Sequence, residues 1–297
     1  MKDHKGKIVD IVKEYKIVDC TNCGYLHIYP IPAFKELKGI YSSKYYTQEK
    51  PVYLKGVNED KAWWDTVYND RLETVERIIN KKTGRILELG PGPGLFLEYA
   101  KQKGWDVFGV DASDDAVRLL KKKGLPVFRS FFEAIEPSSL GKFDAVFLFE
   151  VLEHVSDPLY LLKLINSLLK KGGAVCLSVP NDYNPLQKIV VDALGEQKYW
   201  LAPPFHINYF SIYSIKKILK KSGFSVSYVE TNFPMELFLL MGDNYVGDKK
   251  FGRLMHGKRK KLDIALSEYN NLLKRSLYGA CANLGIGRNI TIYGQKI

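Results

Sequence analysis

The chain has 297 residues, 46% hydrophobic and 26% charged, with 24 Gly and 13 Pro. That composition suits one large domain with appendages, and it excludes disorder, collagen-like repeats and a coiled coil. The net charge is +11, and residues 234–297 carry 11 basic against 5 acidic side chains, so more than half of the excess lies in the last stretch while the middle is neutral. Four cysteines in a chain of this length cannot make a small secreted disulfide framework. The start, Met1 to Lys7, has charge but no apolar run of the signal-peptide kind, and no stretch approaches the roughly 18 apolar residues of a membrane span. The expected compartment is a reducing cytoplasm.

In chain order, residues 1–80 read as an N-terminal extension. It holds a Cys-x-x-Cys-Gly turn at Cys20–Gly24, then Tyr41, Tyr45 and Tyr46, then a helix from about Asp60. On that helix Trp64, Tyr68, Leu72, Val75 and Ile79 recur at three and four residues, which predicts one apolar, core-facing stripe. From Arg85 the pattern alternates strand, loop and helix. Ile86–Leu89 is a strand ending in Gly90-Pro91-Gly92-Pro93-Gly94, and Leu95 to Lys103 is a helix closed by Gly104. Asp106–Asp111 is the next strand, Ser113 opens a helix to Lys123, and Pro126–Arg129 is a weaker third strand. Phe143–Phe149 is an apolar run apart from Asp144, as expected for a strand buried on both faces. Asp157-Pro158 starts a helix expected to end at Lys170-Lys171-Gly172-Gly173, before a fifth strand from Ala174 to Val179. Ile212–Ser222 is helical, Phe224–Thr231 is a sixth strand and Asn289–Lys296 a last one.

This rhythm predicts a doubly wound α/β fold, a Rossmann-like seven-stranded sheet with helices on both faces. The expected core is 81–233 with its last strand in 289–297. The segment 234–288 is a helical, basic insertion that caps the pocket, helical around Leu262 to Leu277 and carrying Lys258-Arg259-Lys260-Lys261. Cys176 and Cys281 read as packing residues.

The strongest chemical signal is Glu88-Leu89-Gly90-Pro91-Gly92-Pro93-Gly94 followed by Asp111. Glycines at a strand-to-helix crossing let a ligand approach the backbone where a Cβ would collide. An acid at the end of the second strand can accept hydrogen bonds from ribose hydroxyls. The spacing departs from the dinucleotide fingerprint Gly-x-Gly-x-x-Gly. A pyrophosphate beside Glu88 would be repelled, whereas an amino acid's ammonium would be held. A cofactor with an amino-acid end and a ribose end satisfies both acids, which points to S-adenosylmethionine.

These residues resemble the motifs of the class I S-adenosylmethionine-dependent methyltransferases, sugar and quinone branch, over about 85–233. Arg85–Gly94 is similar to the family's first motif and Gly109–Ser113 to its second. Phe143–Phe149 with Glu150–Val155 and Asp157-Pro158 is similar to the fourth-strand motif, and Lys171–Gly173 with Val179–Asn181 to the next. His206–Ser211, followed by a helix and Gly223-Phe224, resembles a segment of the branch acting on sugars and quinones. The resemblance implies that Glu88, Gly90, Pro91, Gly92 and Gly94 hold the methionine moiety and that Asp111, with Ala112, holds the ribose. It places Phe131 and Phe132 beside the adenine, with Phe149 lining the same site.

Glu150, Glu153 and His154 follow the fourth strand, where substrate must meet the methyl group, and would share one face of a helical turn. His154 is then a general base for a substrate hydroxyl, with His206 and Tyr209 on the opposite rim. Alternatively Glu150, Glu153, His154 and His206 ligate a divalent ion, or Glu-His only orders the loop. Cys20-x-x-Cys23 resembles the second knuckle of a zinc ribbon found in some sugar methyltransferases. Its first knuckle is missing, so His4 or His27 plus another donor would have to complete a set. A tight turn with the metal lost is the expected reading, and a divalent metal is an option rather than an expected cofactor. Tyr41, Tyr45 and Tyr46 form either a lid over the cofactor or packing against the sheet. The basic run Lys258–Lys261 is either a solvated helix face or a surface for an anionic partner.

The expected activity is O-methylation of a small polar hydroxylated molecule such as a sugar or nucleotide-linked sugar, within carbohydrate biosynthesis. Nucleic acid is not the expected partner. The alternatives are a metal-dependent RNA 2′-O-methyltransferase and a non-catalytic cofactor-binding scaffold.

Overall fold

The computed structural model describes residues 4–32, 36 and 60–297. Tyr41, Tyr45 and Tyr46 lie outside the described residues. The chain divides into two compact units, one drawn from 1–31, 179–218 and 228–292, the other from 32–178, 219–227 and 293–297.

The second unit carries most of the seven-stranded sheet, whose order is β10-β11-β8-β7-β4-β5-β6. These strands are β4 (Arg85–Leu89), β5 (Asp106–Asp111), β6 (Val127–Arg129), β7 (Phe143–Phe149), β8 (Leu169–Pro180), β10 (Phe224–Thr231) and β11 (Asn289–Lys296). The pairs β4–β5, β4–β7, β5–β6 and β7–β8 are parallel. Ile86, Leu87 and Leu89 on β4, and Phe143 and Ala145 to Leu148 on β7, are wholly buried, as central parallel strands covered on both faces must be. The chain first moves outward through β5 and β6 and then returns to the far side of β4 with β7. That reversal makes a switch point at the carboxyl ends of β4 and β7, the place where doubly wound sheets bind ligands.

Local signals place the covering helices. Ser113 caps Asp114–Lys122 by accepting from Ala116 N, with Asp114 and Asp115 in its first turn and Lys121 and Lys122 in its last, complementing the helix dipole at both ends. Asp157 caps Pro158–Leu168 by accepting from Tyr160 N. That helix stops at Leu168, earlier than its glycines suggest, and Leu169–Gly173 already belongs to β8. The reason is tertiary: Leu169 pairs with Phe143 and Lys170 Nζ lies 2.7 Å from Asp144 Oδ2, so the lysine run is held as strand.

The helix expected from Asp60 spans Lys61–Ile79. Tyr68, Leu72 and Val75 are buried as the periodicity predicts, but Trp63 rather than Trp64 enters the core. Trp64 stacks on Tyr68 instead, with ring centroids 5.3 Å apart, and Ile79 is only half-buried.

In the first unit, β1 (Gly6–Val12), β2 (Tyr15–Cys20) and β3 (Tyr25–Tyr29) form an antiparallel meander extended by the two-residue β9 (Asn208–Tyr209). The sequence reading had no strands here. The basic segment folds as a short helix, Glu236–Leu240, and a long helical run, Lys249–Asn283, broken at Asn270. The expected helix over Leu262 to Leu277 therefore straddles a kink, where Asn270 Oδ1 accepts from Leu273 N at 2.9 Å and starts the second half. The run Lys258–Lys261 is not one solvated face: Lys258 and Lys261 are exposed, but Arg259 is buried. No helix among the described residues is long and apolar enough to cross a membrane.

Candidate active site at the carboxyl rim of the sheet

The site begins with a loop that only glycine can close. Gly90 has φ +72 and donates to Val110 O at 2.8 Å, and a Cβ there would stand 2.8 Å from Val151 Cγ2. Gly94, at φ +79, opens the helix Leu95–Gln102, and its Cβ would fall 2.3 Å from Leu120 Cδ2. Both positions combine a left-handed backbone with a close neighbour, so a side chain is excluded twice over. Pro91 and Gly92 are buried between them.

Asp111 ends β5 and ties this loop in place. Its Oδ2 accepts from Gly92 N at 3.1 Å and its Oδ1 from Ser113 N at 2.8 Å. Burial raises its carboxyl to about 6, against the opposing pull of the amides of Ser113, Gly92 and Ala112. A carboxylate accepts at about four lone-pair positions, so these three amides leave room for a ligand hydroxyl. Ser130 N donates to Asp111 O at 3.1 Å. That bond anchors the segment carrying Phe131 and Phe132, and Phe132 Cζ lies 3.9 Å from the Cβ position of Gly90.

Glu88 is a buried acid at the centre of these contacts. It is 4% exposed, and among the described residues its Oε2 has no hydrogen-bond partner. Burial pushes its carboxyl up to about 8, with the charge of Asp111 adding and that of Arg71 subtracting. A buried acid without a partner is expensive, and a second acid beside it makes the position one for a cation. Arg71 is the residue that sequence reasoning missed. It projects from the helix Lys61–Ile79, and its guanidinium carbon sits 4.1 Å from the centroid of Phe149, at the end of β7. Its only sequence signal is a cation beside the apolar stripe.

The segment after β7 also reaches this loop, through Val151. Its helical turn covers only Leu152–His154, and Glu150 precedes it at φ +54. Glu150, Glu153 and His154 therefore do not share a helical face as predicted. Glu150 is exposed and accepts from Ser178 Oγ at 2.7 Å. Glu153 is 1% exposed, and its Oε1 lies 3.7 Å from His154 Nε2. His206 and Tyr209 belong to the other unit. There Tyr209 is buried in β9 opposite Leu26, and burial lifts its phenol well above the ordinary tyrosine range, so it stays protonated near neutrality. Cys20 and Cys23 lie at the β2–β3 turn of that same unit.

The chain is similar to known proteins. It is 30% identical over 135 residues to a ubiquinone biosynthesis O-methyltransferase of Bordetella avium, an alignment covering 40% of this chain and 56% of that protein. The chain thus spans little more than half the length of this curated relative. An uncharacterized protein of Methanocaldococcus jannaschii is 27% identical over 176 residues, 58% of this chain and 80% of that one. The solved magnesium protoporphyrin IX methyltransferase of Synechocystis PCC 6803, with S-adenosylhomocysteine bound, shares the fold. Its TM-score is 0.53, over 85% of this chain and 97% of that chain, at 14% identity. The methyltransferase domain family matches residues 64–229, more than half of the sequence and the whole of the loop, strands and acids just described, and the chain accordingly belongs to the class I S-adenosylmethionine-dependent methyltransferases.

Proposed function

We propose that this protein binds S-adenosylmethionine at the carboxyl rim of β4, β5 and β7 and methylates a hydroxyl of a small polar acceptor. The observation that carries this reading is the buried Glu88, whose Oε2 has no hydrogen-bond partner among the described residues and whose carboxyl feels the charge of Asp111. Glu88 would take the ammonium of the cofactor's amino-acid end, Arg71 its carboxylate, and Asp111 the ribose hydroxyls. The Gly90–Gly94 backbone would admit the ligand where no Cβ intrudes. Phe131 and Phe132 would flank the adenine, with Ala112 and Phe149 lining the remainder. When bound, S-adenosylmethionine supplies a sulfonium methyl whose transfer leaves a neutral thioether.

The chain's further task is to align the acceptor oxygen and remove its proton. His154 is the proposed base, with the buried Glu153 carboxylate orienting its ring and favouring the imidazolium once the proton arrives. Glu150, turned to Ser178, would shape the rim. His154→Ala should lower turnover by about 100-fold or more while leaving cofactor affinity unchanged, read by product formation alongside calorimetry. Equal turnover in variant and parent would remove His154 from the chemistry.

Oxygen as the acceptor atom is supported by the O-methyltransferase relative. A sugar or nucleotide-linked sugar is the finer proposal, resting on the resemblance of His206–Ser211 to the sugar and quinone branch. Calorimetric titration with S-adenosylhomocysteine tests the first part, with micromolar binding expected and no binding overturning it. An acceptor panel of nucleotide sugars against hydroxylated quinone precursors, scored by S-adenosylhomocysteine release, tests the second. Turnover of the quinone precursors alone would overturn the sugar assignment.

A further inference from the structure

The N-terminal meander gathers four soft and borderline donors that are scattered in sequence. The register pairs Gly6 with Cys20 and Val18 with His27, which places His4, Cys20, Cys23 and His27 at one end of the sheet. One ligand atom from each lies within 4.8 Å of the others. His4 Nδ1 is 3.1 Å from His27 Nε2, 3.5 Å from Cys23 Sγ and 3.9 Å from Cys20 Sγ. In a tetrahedral zinc site with ordinary bond lengths, nitrogen–nitrogen edges are about 3.3 Å and nitrogen–sulfur edges about 3.6 Å. The two observed nitrogen–sulfur edges bracket the second value, and the nitrogen–nitrogen edge of 3.1 Å lies close to the first.

The surroundings prepare the donors. His27 Nδ1 lies 2.8 Å from Ile28 O. Since a carbonyl can only accept, Nδ1 carries the hydrogen and the Nε2 lone pair faces the cluster, the arrangement that orients metal-bound histidines. Cys23 N donates toward Cys20 Sγ at 3.5 Å, which fixes the sulfur within the turn. Gly24, at φ +79, closes the turn by donating to Cys20 O at 2.7 Å. Cys20 is wholly buried and His27 is 1% exposed, with His4 and Cys23 half-buried, and four protein donors fill a tetrahedral shell with no position left for substrate. Two thiolates and two neutral imidazoles balance a divalent ion, and that donor set selects zinc over magnesium or calcium.

We propose that His4, Cys20, Cys23 and His27 bind one structural Zn²⁺ that fastens β1 to the β2–β3 turn. Binding releases the two thiol protons and forms two Zn–S and two Zn–N bonds, with no change of oxidation state. The missing first knuckle of the sequence pattern is thereby replaced by two histidines. A small meander with Ile8 46% and Ile11 68% exposed gains from such a staple, because it cannot enclose a core of its own.

The test is metal analysis of the full chain, expressed with zinc and dialysed. About one zinc per chain is expected, and cobalt exchanged into the site should show the strong visible bands of tetrahedral Co²⁺ together with thiolate charge transfer. Cys23→Ala and His4→Ala should each weaken zinc binding by about 100-fold. Their S-adenosylhomocysteine affinity serves as the check that each variant is folded. Three outcomes overturn the proposal: parent protein with only trace zinc, a cobalt spectrum without thiolate bands, or stoichiometric zinc retained after Cys20→Ser with Cys23→Ser. The cobalt spectrum of the parent decides the matter even where a variant does not fold.

Discussion

Asp144 and Glu88 are both 4% exposed and lie on adjacent strands of one sheet, yet the fold treats them in opposite ways. Asp144 stands at the amino end of β7. It accepts from Lys81 Nζ at 2.7 Å, Lys170 Nζ at 2.7 Å and Arg85 N at 2.9 Å. Burial alone would raise its carboxyl, but those three donors overcome burial and hold it down at about 2. Glu88 stands at the carboxyl end of β4, where burial prevails and lifts the carboxyl to about 8. Asp144 is satisfied by three donors, whereas among the described residues one oxygen of Glu88 has no partner. On the proposed function, such a difference separates a structural charge from one kept for a ligand.

The largest expected effect lies at Glu88. Glu88→Gln should weaken S-adenosylhomocysteine binding by roughly 3 kcal/mol through loss of a buried charge-assisted contact. The same change should stabilise the ligand-free chain, because it removes a disfavoured buried acid. Calorimetry and thermal unfolding read the two signs, and unchanged affinity would dissolve the contrast with Asp144. Asp111→Ala comes next, at about 1.5–3 kcal/mol of affinity, and intact binding in a titration would refute its ribose role.

The pH profile is a finer test. Glu88 is protonated in the free protein below about 8, while a bound ammonium requires its ionised form. Binding therefore releases a proton, and affinity should climb by up to about tenfold per pH unit toward pH 8 before levelling. Titrations in buffers of differing ionisation enthalpy count that proton, and Glu88→Gln should flatten the rise. In the ligand-free chain the raised carboxyl has the reverse consequence: stability declines as pH climbs from the ordinary glutamate range toward 8.

Asp144→Asn should show the smallest effect, and only on stability. Lys81 and Lys170 are 53% and 46% exposed, so solvent screening limits the loss to about 1–2 kcal/mol. Because this carboxyl is depressed, its contribution is complete above the ordinary aspartate range and disappears as pH falls through about 2. Denaturant unfolding measures it, and a change in S-adenosylhomocysteine affinity would blur the distinction between the two acids.

Much of this was legible in the sequence. The run Phe143–Phe149, apolar except for Asp144, reads as a strand covered on both faces, and the glycines after Lys103 and Lys123 end their helices by backbone chemistry. The glycine loop was legible as a strand-to-helix turn, with Glu88 and Asp111 at the carboxyl ends of β4 and β5; that they hold a cofactor is part of the proposed function. The N-terminal strands were hidden because Ile8 and Ile11 face outward, so apolar alternation fails. Trp63 and Trp64 exchanged places because neighbours on a helix differ by about 100° and stacking on Tyr68 settled which one turned outward.

Local chemistry in the sequence thus determined the alternation of strands and helices, the loop that only glycine can close, and the two acids of the ligand rim. Tertiary structure alone decided what depends on distance across the fold. It brought Arg71 over Phe149, left Glu150 outside the turn holding Glu153 and His154, and set His4 within 3.5 Å of Cys23 Sγ. Strand register and packing make such meetings between residues far apart in the chain, and no pattern along the chain encodes them.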